Sequence, residues 1–297
     1  MQIEAAPGTA CTATVAGATV LIGERAGTGR PSEDRVFTTE SAVIALDGVS
    51  TVTDDEPRGA WYADILGTTL AELLTQQPDI DLRKALAAAI ATITHHHDLA
   101  PGSSPASTVA IVRHRAGRID AAVLGDSPIV ALGHDGAVHQ LRDDRLATLV
   151  RDRPQVAEYR RLLREGRGFG ERHRELLQEL RGFQQTVVNR QHGYWIAEAL
   201  SQAGLNAVTA SWPAEELAAI LIATDGAAAG VEDYELYSWP EMAKACRSDG
   251  PQAVVDAIDL AEHEDAEGQC WPRYKIADDK ALVYWPLAPT ALTQQRP

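Results

Sequence analysis

Cysteine, basic charge and long apolar runs are all scarce in this sequence. Three cysteines in 297 residues, Cys11, Cys246 and Cys270, are too few and too scattered for a disulfide framework, and no CxxC pair offers a structural zinc site. Lys and Arg number 27 against 42 Asp and Glu, a formal net charge of −15, and no run of basic residues reverses it locally. A duplex binder needs a basic face to displace phosphate counterions, so this balance argues against nucleic acid and anionic membrane as partners. No apolar run approaches the ~20 residues of a membrane helix. The N-terminal string MQIEAAPGTACTATV lacks the basic-then-apolar pattern of a leader, so the expectation is a cytoplasmic protein.

Two hydrolase signatures are also missing. No GxSxG elbow supports Ser103, Ser104 or Ser127 as a nucleophile, and no HExxH spacing links His173, His192 and His263 to zinc. His95, His96 and His97 are consecutive, so on a helix they point roughly 100° apart and cannot converge on one ion. Cys246, within a helical stretch, reads as a packing residue.

What is present is a folding composition, 45% hydrophobic and 23% charged. The stretches 10–22 and 36–48 each read as a strand. Residues 61–74 place Tyr62, Ile65, Leu66, Leu70, Leu73 and Leu74 at helical spacing before Pro78, and a second helix is expected from about Asp81 to His95. STVAIVRH, RIDAAVLG and PIVALG follow with short turns between them, which predicts an antiparallel meander. From about Asp143 to Gln185 long charged side chains predict a peripheral helical insertion, broken at GRGFG (166–170). The apolar pattern returns at 217–226 as a buried strand, then come helices near 238–247 and 251–263 and a last strand at 280–286. Strands and helices do not alternate in a βαβ rhythm, so the expected class is α+β, a layered sandwich.

Aspartates cluster at the ends of the apolar runs. Asp47 ends VIALDG, Asp126 follows AAVLG, Asp225 ends ILIATDG, and Asp278 and Asp279 precede KALVYW. Each Asp-Gly alone is an ordinary turn former. Gathered at one end of a sheet, the carboxylates would repel one another unless cations neutralised them, and hard Mg²⁺ or Mn²⁺ ions prefer such oxygen donors. Gly48 after Asp47 would let the backbone approach an ion without a Cβ in the way. A pair of ions roughly 3.5–4 Å apart would lower the pKa of a bridging water and make it a nucleophile toward a phosphoryl group.

In order along the chain, PSEDRVF (31–37), VIALDGVS (43–50), STVAIV (107–112), VLGDSPIV (123–130), LIATDG (221–226) and DDKALVYW (278–285) resemble the blocks of the metal-dependent Ser/Thr phosphatases of type 2C. Gly29 to Asp34, Trp61 to Ala63, and Asn189, Arg190 with Gly193 to Trp195 are similar to elements of that family's actinobacterial branch. The resemblance implies a four-layer α-β-β-α sandwich with a central antiparallel β-sandwich. It implies one catalytic domain over 1–286, a helical flap at about 143–205 and a flexible tail at 287–297. It further implies two Mn²⁺ or Mg²⁺ ions with a third, weaker ion as an option, and a phosphorylated protein as the partner of a monomer. Carried over by residue, Asp47 and the Gly48 carbonyl would bind the ions, Asp225 and Asp278 would hold the first, and Glu33 or Asp34 would reach the second. Asp126 resembles a third-ion ligand, and Arg30 a phosphate clamp.

The match has departures. The usual Asp-Asn-x-Thr reads Asp278-Asp279-Lys280-Ala281, the acid often found four residues after Asp225 is Ala229, and Arg30 lies four residues before Asp34 where five is usual. These departures leave one alternative beside a protein phosphatase, a catalytically weak relative used as a regulatory binding module; a further alternative keeps the chemistry but acts on a small phosphorylated metabolite.

Overall fold

The computed structural model describes residues 11–49 and 58–287. β1 (Cys11–Val15) turns through Ala16 and Gly17, both at positive φ, into β2 (Ala18–Arg25). β3 (Asp34–Thr38) pairs antiparallel with β4 (Ala42–Val49). Each stretch expected as one strand is thus two or part of two. At Thr39 the hydroxyl accepts from the Ser41 and Ala42 amides at 3.2 and 2.9 Å, a local turn that the Thr-rich string concealed.

α1 (Gly59–Gln76) and α2 (Leu82–His96) follow, the latter capped by Asp81, whose side chain accepts from the Lys84 amide at 3.1 Å. Both helices lay their apolar faces on one side of the sheet that contains β4. Tyr62, Leu66, Leu70, Leu86 and Ile90 pack there against Ile44, Leu46 and Ile111. The alternate residues Val43, Ala45, Ala110 and Val112 point the other way, into the space between two sheets. This period-2 division of one strand between two cores produces the layers.

β5 (Ala106–Ser107) adds to β4, and β6 (Val109–Arg115) and β7 (Arg118–Leu124) form a hairpin. β8 (Ile129–Gly133) and β9 (Val138–Leu141) form another. The expected meander is interrupted here, because β8 pairs with a different sheet. Gly125, at φ +87°, makes the bend, and the crossover segment 125–128 carries the chain between the layers.

Beyond β9, α3 (Arg145–Val150), α4 (Pro154–Arg164) and α5 (Glu171–Val187) belong to neither sheet. The break between α4 and α5 contains Gly166 and Gly168 at positive φ, as GRGFG implied. α6 (Gln202–Leu205), β10 (Val208–Pro213) and β11 (Leu217–Ala223) return the chain to the body. α7 (Asp225–Glu232), α8 (Trp239–Asp249), α9 (Pro251–Glu264) and β12 (Lys280–Pro286) complete it. β10 and α7 were not anticipated. Asp225 opens a helix where a strand end was expected, with Thr224 between them.

The two antiparallel sheets run β1-β2-β12-β11-β8-β9 and β10-β7-β6-β4-β3. On the outer face of the first, Leu221, Leu282 and Tyr284 pack against Met242, Val255 and Ile258 of the C-terminal helices. The four-layer α-β-β-α sandwich expected from the sequence is therefore the observed fold. Its interior also holds a buried ion pair. Lys280 is fully buried, with Nζ 2.5 Å from Glu262 Oε2 on α9 and donating to the Asp278 carbonyl at 2.7 Å. Of the expected tail, Leu287 still donates to the Ala218 carbonyl at 3.0 Å, while 288–297 lie outside the described residues. No helix among the described residues is long and apolar enough to cross a membrane.

Candidate metal centre

Both sheets send carboxylates to the same end of the sandwich. From one come Asp34 and Asp47, directly opposite each other in the β3–β4 register. From the other come Asp225, just beyond β11, and Asp278 and Asp279, just before β12. The segments are tied together by short polar contacts. Asp279 accepts from the Gly27 and Glu33 amides at 2.8 and 2.9 Å, which fastens the loop ahead of β3 to the opposite sheet. Thr224 donates its hydroxyl to Asp34 Oδ2 at 2.7 Å and accepts from the Ala281 amide at 2.8 Å. The Asp47 amide donates to Thr108 Oγ1 at 3.2 Å, and Thr108 shares a 2.6 Å hydroxyl contact with Ser127 of the crossover.

Two glycines permit this convergence. A Cβ on Gly226 would stand 2.1 Å from the Asp279 carbonyl, so only glycine lets α7 start against the 278–279 segment. On Gly48 it would meet the Gly59 carbonyl carbon at 2.5 Å and the Glu33 carbonyl at 2.9 Å. The need for glycine at 48 therefore arises from the close approach of α1 and Glu33, a packing reason that the sequence argument did not contain.

Asp47, Gly48, Asp126, Asp225, Asp278, Glu33 and Arg30 all line one cavity of about 350 Å³. Asp34 does not line it. Asp34 is buried behind, and its Oδ1 has no hydrogen-bond partner. The alternative between Glu33 and Asp34 is thus divided by geometry: Glu33 faces the cavity but is paired at 2.8 Å with Arg30, while Asp34 is closer electrostatically to Asp279, Asp225 and Asp278. Asp126 lies on the crossover, in the fields of Asp143 and Asp278.

The electrostatics follow from burial and mutual repulsion. Desolvation first, then Asp279, holds the Asp34 carboxyl well above the ordinary carboxylate range. Burial and the neighbouring Asp225 and Asp34 do the same to Asp47. Asp225 is pushed up to about 7 by burial and by Asp278 and Asp126, with a hydrogen bond to Asp47 working the other way. Burial also lifts Asp126. Such a group of hard oxygen donors, with one buried oxygen left unpaired, has the chemistry that suits a divalent cation. Among the described residues no three acidic, His or Cys side chains stand at ligand spacing, so the acids face one another without closing on a point.

One cation that the sequence reasoning missed sits among them. Lys275 Nζ lies 2.5 Å from Asp278 Oδ1. Burial alone would lower its pKa, yet Asp278, Asp225 and Asp47 raise it. One wall is helical: Leu177, Leu180, Arg181 and Gln184 of α5 and Leu146 of α3 cover the acids, joined by Tyr194 and Ile196. The Asn189 to Trp195 string anchors that cover. Asn189 accepts from the Ile196 amide at 2.9 Å and donates to Glu198 at 3.3 Å, and Glu198 accepts from the Gly102 amide at 2.6 Å.

An α-β-β-α sandwich with carboxylates from both sheets at one end is the architecture of a phosphatase class that works with divalent metals. The chain belongs to the protein phosphatase 2C family, whose model matches residues 24–259. Solved structures agree on the fold. The PPM Ser-Thr phosphatase MsPP from Mycobacterium smegmatis, solved with cacodylate, is 20% identical at a TM-score of 0.54, covering 91% of this chain and 98% of that one. The catalytic domain of the phosphatase PstP, solved with two manganese ions, is 15% identical at 0.53, covering 90% and 96%. A serine-threonine phosphatase 2C from Toxoplasma gondii is 13% identical at 0.56, covering 97% and 99%. No curated protein matches the sequence closely enough to count as a relative.

Proposed function

We propose that this chain is a metal-dependent phosphatase that removes phosphate from phosphoserine or phosphothreonine in proteins, and that residues 1–286 form its single catalytic domain. The carrying observation is the meeting of Asp47, Asp225 and Asp278 from two different sheets in one cavity, with the unpaired Asp34 Oδ1 behind them. Asp47, the Gly48 carbonyl, Asp225 and Asp278 are the residues to hold two Mn²⁺ or Mg²⁺ ions, and Asp34 or Glu33 completes the set. Asp126 is the candidate for a third. Divalent cations at such a site supply charge stabilisation and a water acidified toward neutral pH.

The chain's own groups do the rest. Asp34 and Asp279, fixed by Thr224 and by the Gly27 and Glu33 amides, keep the two sheets' acids in register. Arg30, partly exposed and lining the same cavity, orients an entering phosphoryl group. The helical cover limits water. It also supports the second reading, a small phosphorylated metabolite, since a chamber of about 350 Å³ walled by Leu177, Leu180 and Tyr194 is of a size that suits a small ligand.

Hydrolysis of a phosphothreonine peptide beside p-nitrophenyl phosphate, with Mn²⁺, Mg²⁺ or EDTA, tests both. Asp47→Asn and Asp225→Asn are expected to lower metal-dependent turnover roughly a thousandfold without unfolding, the loss of several kcal/mol of charge stabilisation. Full turnover in either variant would remove that residue from the site, and preference for the small ester over the peptide would favour the metabolite.

A further inference from the structure

The family resemblance assigns no role to Lys275, and the structure places it where a role is unavoidable. Its ammonium is 2.5 Å from Asp278 Oδ1, an oxygen that also accepts from the Asp279 amide at 2.9 Å. It lines both cavities that open on the acids, the one described above and a neighbouring one of about 360 Å³ beneath α3 and α4. Of the other cations around these cavities, Arg30 is paired with Glu33, Arg142 with Asp144 and Glu232, and Arg273 with Asp265. Lys275 is also held in place from behind. The Tyr274 carbonyl lies 3.0 Å from His173 Nε2 of α5, and the Tyr274 ring packs on Tyr159 of α4 at 5.3 Å between centroids.

We propose that Lys275 is an internal counter-ion that competes with the divalent cation for Asp278 and so sets the metal affinity of the site. This rests on the metal-dependent reading above. The physical argument is direct. An ammonium in contact with a carboxylate oxygen takes the lone pair that a metal needs, and two like charges cannot share that oxygen at contact distance without a repulsion of a few kcal/mol even in a well-screened site. Without a divalent cation, the same ammonium offsets part of the repulsion among Asp47, Asp225 and Asp278, and so favours the folded state. Metal uptake through Oδ1 therefore displaces Lys275, uptake through Oδ2 is weakened by its neighbouring charge, and the contacts of Tyr274 with α4 and α5 make the helical cover a party to that displacement.

Calorimetric titration with Mn²⁺, together with thermal melting in EDTA, tests this on the full chain as wild type, Lys275→Met and Lys275→Arg. Lys275→Met is expected to bind Mn²⁺ about tenfold more tightly, and to melt at a lower temperature in EDTA. Lys275→Arg, which keeps the charge, is expected to behave as the wild type in both. A Lys275→Met affinity within about twofold of the wild type overturns the proposal. If the wild type takes up no Mn²⁺ but Lys275→Met does, competition is upheld. If neither binds Mn²⁺, the metal-dependent reading fails and competition fails with it, whereas the EDTA melts still report on the counter-ion, and identical melting denies that as well.

Discussion

The floor and the cover of the cavity are built on different terms. On the floor, each acid emerges from or beside a strand, and the segments are cross-tied by Asp279, Thr224 and Thr108. The cover has a small core of its own, in which Val156, Tyr159, Leu163, Leu176 and Leu180 pack chiefly between α4 and α5. Its many ion pairs, such as Arg172 with Glu158 and Glu175, are exposed and add little. One of its contacts with the body is the segment 265–275, where Arg273 lies over Phe169 and Tyr274 meets Tyr159 and His173. A precise floor under a separately packed cover is what a hydrolase needs when ligands must be fixed and substrate must still get in.

The largest expected effect breaks the floor. Lys280 joins the Asp278 carbonyl to Glu262, which is itself buried and also accepts from the Tyr234 hydroxyl at 2.9 Å. Removing the ammonium leaves Glu262 uncompensated in the interior. Lys280→Met is expected to cost about 3–5 kcal/mol in urea unfolding, the penalty for breaking a buried pair. Lys280→Met with Glu262→Gln should recover much of that. A single variant as stable as the wild type would show that Glu262 takes up a proton at little cost and that the pair does not hold β12 to α9.

A smaller effect is expected from the cover, and it sharpens the contrast by staying local. Leu163 is fully buried within the α4–α5 core. Leu163→Ala should remove about 2–4 kcal/mol of packing there. Amide exchange should then quicken across 145–187 while strands β4, β6, β11 and β12 keep their protection, because local stability follows the local core. Faster exchange in the strands as well would mean that cover and sandwich unfold as one unit, and the comparison above would lose its basis.

The floor was far more legible in the sequence than the cover's placement, for physical reasons. KALVYWP predicts its strand residue for residue, since a continuous apolar run flanked by charges has few other places to go. Asp47, Asp126, Asp225 and Asp278 stand out because each abuts such a run. β10 was missed although Val208, Ala210 and Trp212 alternate with Thr209 and Ser211 in the period of a strand: it is an edge strand that pairs with β7 among the described residues, and its apolar residues are only partly buried. α7 was missed although Thr224 and the Ala227–Ala229 run carry a helix signal, because the strand reading of ILIATDG absorbed its first residue. Lys275 and Lys280 had no local signature. One is an ordinary i,i+3 partner of Asp278, the other a charge inside a strand, and only the tertiary arrangement gives either a meaning.

The smallest expected effect is in the pH dependence of the metal-free protein, and it concerns the floor alone. Asp34, Asp47 and Asp225 all keep their protons in the folded state to higher pH than an unfolded aspartate does, with Asp225 titrating at about 7. The folded state therefore binds more protons than the unfolded chain above about pH 4, and its stability falls as pH rises through the folded pKa values. In EDTA the melting temperature should be higher at pH 5.5 than at pH 8, by roughly the few degrees that 1–2 kcal/mol produces in a domain of this size. Mn²⁺ should flatten the slope, because a cation takes over the charge compensation that protons otherwise provide, and Asp225→Asn should reduce it in EDTA. The helices of the cover carry none of these three acids, so Leu163→Ala should leave the slope as it is. A slope unchanged by both Mn²⁺ and Asp225→Asn would place its origin outside the cavity's aspartates, most directly in Glu262, which burial also pushes up.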